Sequence, residues 1–145
     1  DAYFHAYKEK WLYDGSMVNG QLSYAVLKGI DLSTVNFESV VLKSAHLEGT
    51  KFNKARLKNA VFDGAHLEES EFISANIEGA SFEKSYLSGT DFTGAIYNSN
   101  TCWNKATYNS KTKWPGKFSP DDFGCILRDP KVNGSGPKSS TDYGP

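Results

Sequence analysis

The chain has 145 residues, a formal net charge of −1 and a mean hydropathy of −0.51, so its length suits one domain. No run of residues approaches the ~20 apolar positions that a membrane-spanning helix needs, and we expect no membrane insertion. Neither the whole chain nor any part of it is charged enough to predict nucleic-acid binding through electrostatics alone.

Residues 1–19 have the pattern of a short amphipathic helix. Large apolar side chains recur at helical spacing, and Gly15 follows them as a stop signal. The charges between them are of both signs, unlike those of a basic membrane-surface helix. We therefore predict an N-terminal cap helix, in which His5 makes a cap contact. Its apolar residues are Tyr3, Phe4, Tyr7, Trp11 and Leu12.

Residues 20–99 follow a five-residue repeat. Every fifth residue from Leu22 to Tyr97 is Leu, Phe, Ile or Tyr, and two positions earlier the residue is typically small or β-branched, as at Val35 and Ala45. Neither a helix of period 3.6 nor a strand of period 2 keeps every fifth side chain on one side. A chain that turns a corner every five residues places every fifth side chain on the same side.

A twenty-residue period is superimposed on this repeat and aligns similar side chains in columns. We predict that the columns stack in the interior and that Leu47→Lys unfolds the domain. Surface charges share the register, as at Asp31, Lys51 and Glu71, and we interpret them as structural ladders. The predicted core columns are Leu27, Leu47, Leu67 and Leu87, then Phe52, Phe72 and Phe92, and finally Phe62 with Phe82.

The segments A-H-L-E-G, A-R-L-K-N, A-V-F-D-G, A-H-L-E-E and A-N-I-E-G resemble the pentapeptide-repeat family. The resemblance covers residues 20–99 as sixteen repeats. It implies an all-β fold, a right-handed quadrilateral β-helix with four repeats per coil and therefore four coils. Since the open ends of such a tube expose apolar core, we expect short helical caps at both ends.

Residues 100–128 are predicted to form the C-terminal cap, after the five-residue register stops at Tyr97. Ser119 has the character of a helix N-cap, followed by Pro120 and two acidic residues, and we expect a short helix through about Leu127. Residues 129–145 are rich in Pro, Gly, Ser and Lys and are predicted to be a disordered tail.

The only two cysteines, Cys102 and Cys125, both lie in this cap. Their grouping favours an intramolecular disulfide over two buried free thiols, and a redox-switched dithiol is a third interpretation. Two thiols without a nearby His make an incomplete zinc site.

Candidate chemistry in the repeats centres on His46 and His66, which are one coil apart in exposed positions. A two-histidine metal site lacks further ligands, because Val26 and Tyr86 hold the neighbouring positions, so we predict no metal, no cofactor and no catalytic residue. Val26, His46, His66 and Tyr86 form an apolar, aromatic stripe that is either a partner surface or ordinary side-chain stacking. A second candidate surface is the basic patch of Lys51, Lys54, Arg56 and Lys58.

Two functional classes are known in the family. DNA-mimicking inhibitors of type II topoisomerases require a strongly acidic prism, and the near-neutral repeats disfavour this class. The C-terminal cap resembles that of plant thylakoid-lumen members in its motif at Trp114-Pro115, Phe118, Pro120 and Gly124 and in its two cysteines. The start at Asp1, which is expected of a processed precursor, also resembles these members. The resemblance implies a plant chloroplast protein whose transit peptide has been removed. We expect a monomeric, non-catalytic interaction or scaffold module with a protein partner, or alternatively a thioredoxin target acting through the cap cysteines.

Overall fold

A computed structural model of the chain describes Asp14 and residues 17–129. The predicted N-terminal cap helix and the predicted tail lie almost entirely outside these residues. Within them, parallel β-bridges join positions twenty residues apart, as between Val26 and His46 and between His46 and His66. Four such bridges occur along each coil, so the chain winds as a four-sided parallel solenoid with the period that the sequence predicts.

Regular strands are short because each side of the coil is only a few residues long. The two strands of the described residues are β1 (Thr107–Tyr108) and β2 (Ile126–Leu127), which pair in parallel. Elsewhere a turn at the corner separates one side from the next. At one such turn, the Ala45 amide donates to the Leu42 carbonyl at 3.2 Å. Among the described residues, no helix has the length and apolarity to cross a membrane.

From Asn19 to Gly94, each corner contains one residue with positive φ, such as Ser44 at 54° and Gly49 at 69°. Most residues disfavour this left-handed conformation. Here the backbone ladder compensates for it, because the Ser44 amide donates to the Asp63 carbonyl of the next coil at 2.9 Å. The inter-coil hydrogen bonds therefore define the corners, and the corner side chain can vary.

The interior is filled by the columns that the sequence indicates. Leu27 is 8% exposed, and the other eight residues predicted for the core columns are 0% exposed. The rings of Phe52, Phe72 and Phe92 stack with successive centroids 5.0 Å apart. Phe62 meets Phe72 edge-on at 5.5 Å, so the two aromatic columns interlock. Offset and edge-to-face contacts are the favoured geometries for aromatic pairs.

The coil continues beyond Tyr97, contrary to the prediction. Bridges join Ser81 to Cys102, Tyr86 to Thr107 and Asp91 to Lys113, which are 21 or 22 residues apart rather than twenty. Two corners have each gained one residue, so the register shifts and continues. Trp103 stacks on Phe82 at 4.8 Å and Trp114 on Phe92 at 5.7 Å, extending both aromatic columns.

The predicted C-terminal helical cap is also corrected. The helix expected from Ser119 to about Leu127 is a 3₁₀ helix over Pro120–Phe123, which Gly124 ends with a φ of 75°. The following residues return to the coil and form β2. Phe118 covers this end of the core, stacked on Trp114 at 4.8 Å and tilted against Trp103 at 5.0 Å.

Candidate functional surface

One side of the solenoid carries the stripe Val26, His46, His66 and Tyr86, whose members are bridged to one another in that order. The His46 and His66 rings are 4.9 Å apart and 2° from parallel, and the His66 and Tyr86 rings are 4.5 Å apart and 4° from parallel. Val26 is 66% exposed and Tyr86 is 43% exposed. The predicted stripe is thus a flat ladder of rings that faces solvent.

A cluster of ionisable groups lies at the corner beside this stripe. His46 Nδ1 is 3.4 Å from Glu48 Oε1, and His66 Nδ1 is 3.4 Å from Glu68 Oε1. Single ligand atoms of Glu48, His66 and Glu68 all lie within 4.8 Å of one another. The two histidines therefore do not stand alone, because each is paired with the glutamate two residues later.

The environment of Glu48 favours its charged form. Burial alone raises the pKa of the carboxyl, but a hydrogen bond to its own backbone amide, the hydrogen bond with His46 and the charge of Lys28 outweigh burial and lower the pKa. Lys28 Nζ is 3.8 Å from Glu48 Oε2. Neither glutamate was predicted as a site residue, although His-Leu-Glu recurs at residues 46–48 and 66–68 and was a readable signal.

The basic patch lies apart from the stripe. Lys51 and Arg56 belong to the two sides that follow the His46 side around the coil, so Arg56 is on the side opposite to the stripe. Arg56 Nη2 donates to Glu38 Oε1 at 2.8 Å, and Lys51 is bridged between Asp31 and Glu71. Acidic neighbours therefore offset part of the patch's charge.

The two cysteines are free thiols in the structure, and both are half-buried. The thiol of Cys125 donates to the Trp103 carbonyl at 3.7 Å. Burial, followed by the charges of Asp121 and Cys102, raises the pKa of Cys125 to about 12. No disulfide between Cys102 and Cys125 is formed here, and the bridge stays a prediction.

The bridge register and the filled interior together define a solenoid of the parallel β-helix class. Residues 21–59 and 51–89 match the family model described as pentapeptide repeats. Over these residues the chain is thus similar to the pentapeptide-repeat family, whose members are generally non-catalytic. No curated protein matches the sequence.

Solved structures share this fold. One is HetL from the cyanobacterium Nostoc, involved in heterocyst differentiation regulation, which is 33% identical over 59% of this chain and 39% of its own length, with a TM-score of 0.55. A thylakoid-lumen protein of Arabidopsis thaliana is 24% identical over 81% of this chain and 72% of its own, with a TM-score of 0.57. QnrB1, a plasmid-mediated fluoroquinolone resistance protein, is 17% identical over 68% of this chain and 59% of its own, with a TM-score of 0.54.

The extent of these matches limits what they imply. The chain spans 39% of the length of HetL and 59% of that of QnrB1. The likeness to the lumen protein and to QnrB1 concerns the fold alone, because their sequences are 24% and 17% identical to this one. Function must therefore be argued from the surface of this chain.

Proposed function

We propose that this protein is a non-catalytic protein-interaction or scaffold module whose binding surface is the stripe of Val26, His46, His66 and Tyr86. The exposure of this stripe carries the proposal. Its end members are apolar or aromatic and largely solvent-exposed, and its rings are held parallel by the backbone bridges beneath them. A surface that is rigid before binding loses little conformational entropy on association.

The rest of the described surface offers weaker alternatives. An open polar hollow of about 360 Å³ is lined by Glu69, Glu71, Asp91, Lys111 and Lys113 among others, and its mixed charges favour solvation. The basic patch is partly offset by Glu38, Asp31 and Glu71, as described above. The stripe combines exposed apolar area with fixed geometry, which is typical of partner surfaces.

We place the proposed module in the chloroplast thylakoid lumen as a monomer. The cap motif and the cap cysteines of the sequence support this location, and the lumen protein from Arabidopsis thaliana contributes only its shared fold. An oxidising compartment would suit the predicted Cys102–Cys125 disulfide. Counting thiols in protein isolated from chloroplasts tests it, because two titratable thiols under native conditions would contradict the bridge.

The stripe is tested by covalent cross-linking of the tagged protein in lumen extract. The double variant Val26→Lys, Tyr86→Lys should lose the cross-linked partner, because charge at both ends of the stripe opposes apolar docking. The control is the double variant Asn36→Lys, Ile96→Lys, which changes the same two coils on the opposite side of the solenoid. Ile96 is 53% exposed there, and this variant should keep the cross-linked partner.

Either of two results would contradict this proposal. Equal capture by both double variants would show that the stripe is not the binding surface. If the wild-type chain captured no protein, the proposal that it is a protein-interaction module would be contradicted. Thermal melts of the variants should match the wild type, since all four positions face solvent at least in part.

A further inference from the structure

We propose that Glu48, His66 and Glu68 form a binding site for a divalent transition-metal ion such as Zn²⁺, at the corner beside the stripe. The site is independent of any protein partner and extends beyond the proposed function. It differs from the two-histidine site that the sequence analysis excluded, because its additional ligands come from the corner rather than from the stripe.

The spacing of the three groups suits a small cation. Tetrahedral zinc with nitrogen and oxygen ligands at about 2.0–2.2 Å holds neighbouring ligand atoms about 3.4 Å apart. His66 Nδ1 and Glu68 Oε1 already have a separation of 3.4 Å, and the ligand atoms of all three residues lie within 4.8 Å of one another. The carboxylate side chains are 29% and 32% exposed, so rotation within their rotamer wells can close the remaining gap.

The polar atoms of the cluster are incompletely satisfied without a cation. Oε2 of Glu48 and Oε2 of Glu68 are both buried atoms with no hydrogen-bond partner, although Lys28 Nζ lies 3.8 Å from Glu48 Oε2 as an ion pair. The contact of His66 Nδ1 with Glu68 is long for a hydrogen bond. Two carboxylates one coil apart also repel each other, and a divalent ion between them would offset both the repulsion and the lost hydration.

The parallel stacking of the rings allows only one of the two histidines to be the ligand, and His66 is the one whose ligand atom lies within 4.8 Å of both carboxylates. A metal ion bound to an imidazole nitrogen lies close to the plane of that ring. Since the His46 and His66 planes are 2° from parallel with centroids 4.9 Å apart, one ion cannot lie in both. Glu68 lies on the same coil as His66 and Glu48 lies on the preceding coil. The His66 ring is held between those of His46 and Tyr86. His46 therefore serves as the comparison, since it contacts the ligand Glu48 without being a ligand itself.

The donor set indicates the kind of ion. Imidazole nitrogen favours zinc and its neighbours in the transition series, whereas a site built of carboxylates alone favours magnesium or calcium. One nitrogen and two oxygens leave a coordination position for water, as in zinc sites with three protein ligands. Because the ligands must be deprotonated, binding should weaken on acidification.

The test is isothermal titration of the purified chain with ZnCl₂ in a non-chelating buffer near neutral pH, supported by the visible absorption of the Co²⁺-loaded protein. We expect one ion per chain. His66→Phe retains the ring stack but removes the ligand nitrogen, and it should weaken binding at least tenfold, as should Glu68→Gln. His46→Phe makes the same chemical change one coil away; it removes a hydrogen-bond partner of Glu48 rather than a ligand, and should weaken binding clearly less than His66→Phe does.

The assignment would be overturned by no bound ion in the wild type, by equal weakening in His46→Phe and His66→Phe, or by affinity unchanged in His66→Phe and Glu68→Gln. Loss of binding in Cys125→Ser would also overturn it, since the ion would then be held by thiols. The Co²⁺ absorption bands give a separate readout, because they should persist in His46→Phe and disappear in His66→Phe. Circular dichroism melts confirm that each variant is folded.

Discussion

Phe72→Ala provides the sharpest test of how the interior stabilises the solenoid. Phe72 is 0% exposed and stacks between Phe52 and Phe92 at 5.0 Å on each side. It also makes edge-on contacts with Phe62 and Phe82 at 5.5 and 5.6 Å. Removing its ring therefore leaves a cavity and deletes four aromatic pairs.

The expected loss is at or above the upper end of the usual range. Truncation of a buried Phe to Ala costs about 3–5 kcal/mol, and each favourable aromatic pair contributes about 0.5–1.5 kcal/mol beyond its buried area. Because the coils above and below are tied by backbone bridges, they cannot collapse into the cavity. We expect a destabilisation of about 5 kcal/mol or more, whereas Phe72→Leu, which keeps most of the volume, should cost about half as much.

Equilibrium urea unfolding measures both variants, followed by far-UV circular dichroism and by tryptophan fluorescence. Trp103 and Trp114 extend the aromatic columns, so in a Trp11→Phe background the fluorescence reports the C-terminal end of the solenoid while circular dichroism reports the whole. Since each coil contacts only its neighbours, a weak central level should also separate the two transitions. A cost below about 2 kcal/mol, with coincident transitions, would refute the rigid stacking argued here.

The remaining predictions concern single sites and use the same urea titration. Gly29→Ala should cost about 1–2 kcal/mol, because its φ is +67° and nothing lies within 4 Å of an added Cβ; no loss would contradict the backbone cause. Thr50→Val should cost about 1–3 kcal/mol, because the Thr50 hydroxyl donates to the Leu27 carbonyl at 2.7 Å inside the core; a neutral result would show that this carbonyl finds another donor. Trp103→Phe should cost less than about 1 kcal/mol, because the buried Trp103 Nε1 has no hydrogen-bond partner and its removal offsets lost volume. The pKa of the Cys125 thiol rises from its ordinary 9.0 to about 12 on folding. Because the unfolded chain then loses this proton first, the free energy of unfolding should fall as pH rises through that interval. Cys125→Ser should make this fall with pH smaller.

The repeating interior could be predicted from the sequence because each of its positions is constrained by two periods at once. A side chain in a core column must fit within its own coil and also pack against the side chains twenty residues before and after it. Leu47 and Phe72 meet both requirements. Surface positions are constrained less tightly, yet the stripe followed from the same register. These predictions needed no knowledge of side-chain conformation.

The C-terminal register could not be read from a fixed period, because each of two corners contains one extra residue. The inserted corner is built from side chains: Asn98 Oδ1 accepts from the Gly79 amide at 3.0 Å, and the Thr101 hydroxyl donates to the Ile77 carbonyl at 3.0 Å. The next such corner repeats the pattern, with Asn109 accepting from the Gly89 amide and Thr112 donating to the Leu87 carbonyl. The recurrence of Y-N-S-x-T-x-W at residues 97–103 and 108–114 was the missed signal.

The corners also explain why the candidate metal cluster was missed. A corner residue is held by its backbone, as at Glu69, whose φ is 60° and whose amide donates to the Ser88 carbonyl at 2.9 Å. Because the backbone ladder carries the conformational cost, the side chains around a corner are free to serve surface chemistry. Glu48 and Glu68 approach His66 by extending back from the corner towards the flat side, which depends on rotamers rather than on period. In this fold the interior can therefore be predicted from residue spacing, whereas the proposed metal site depends on corner side chains that meet the stacked side chains of the adjoining side.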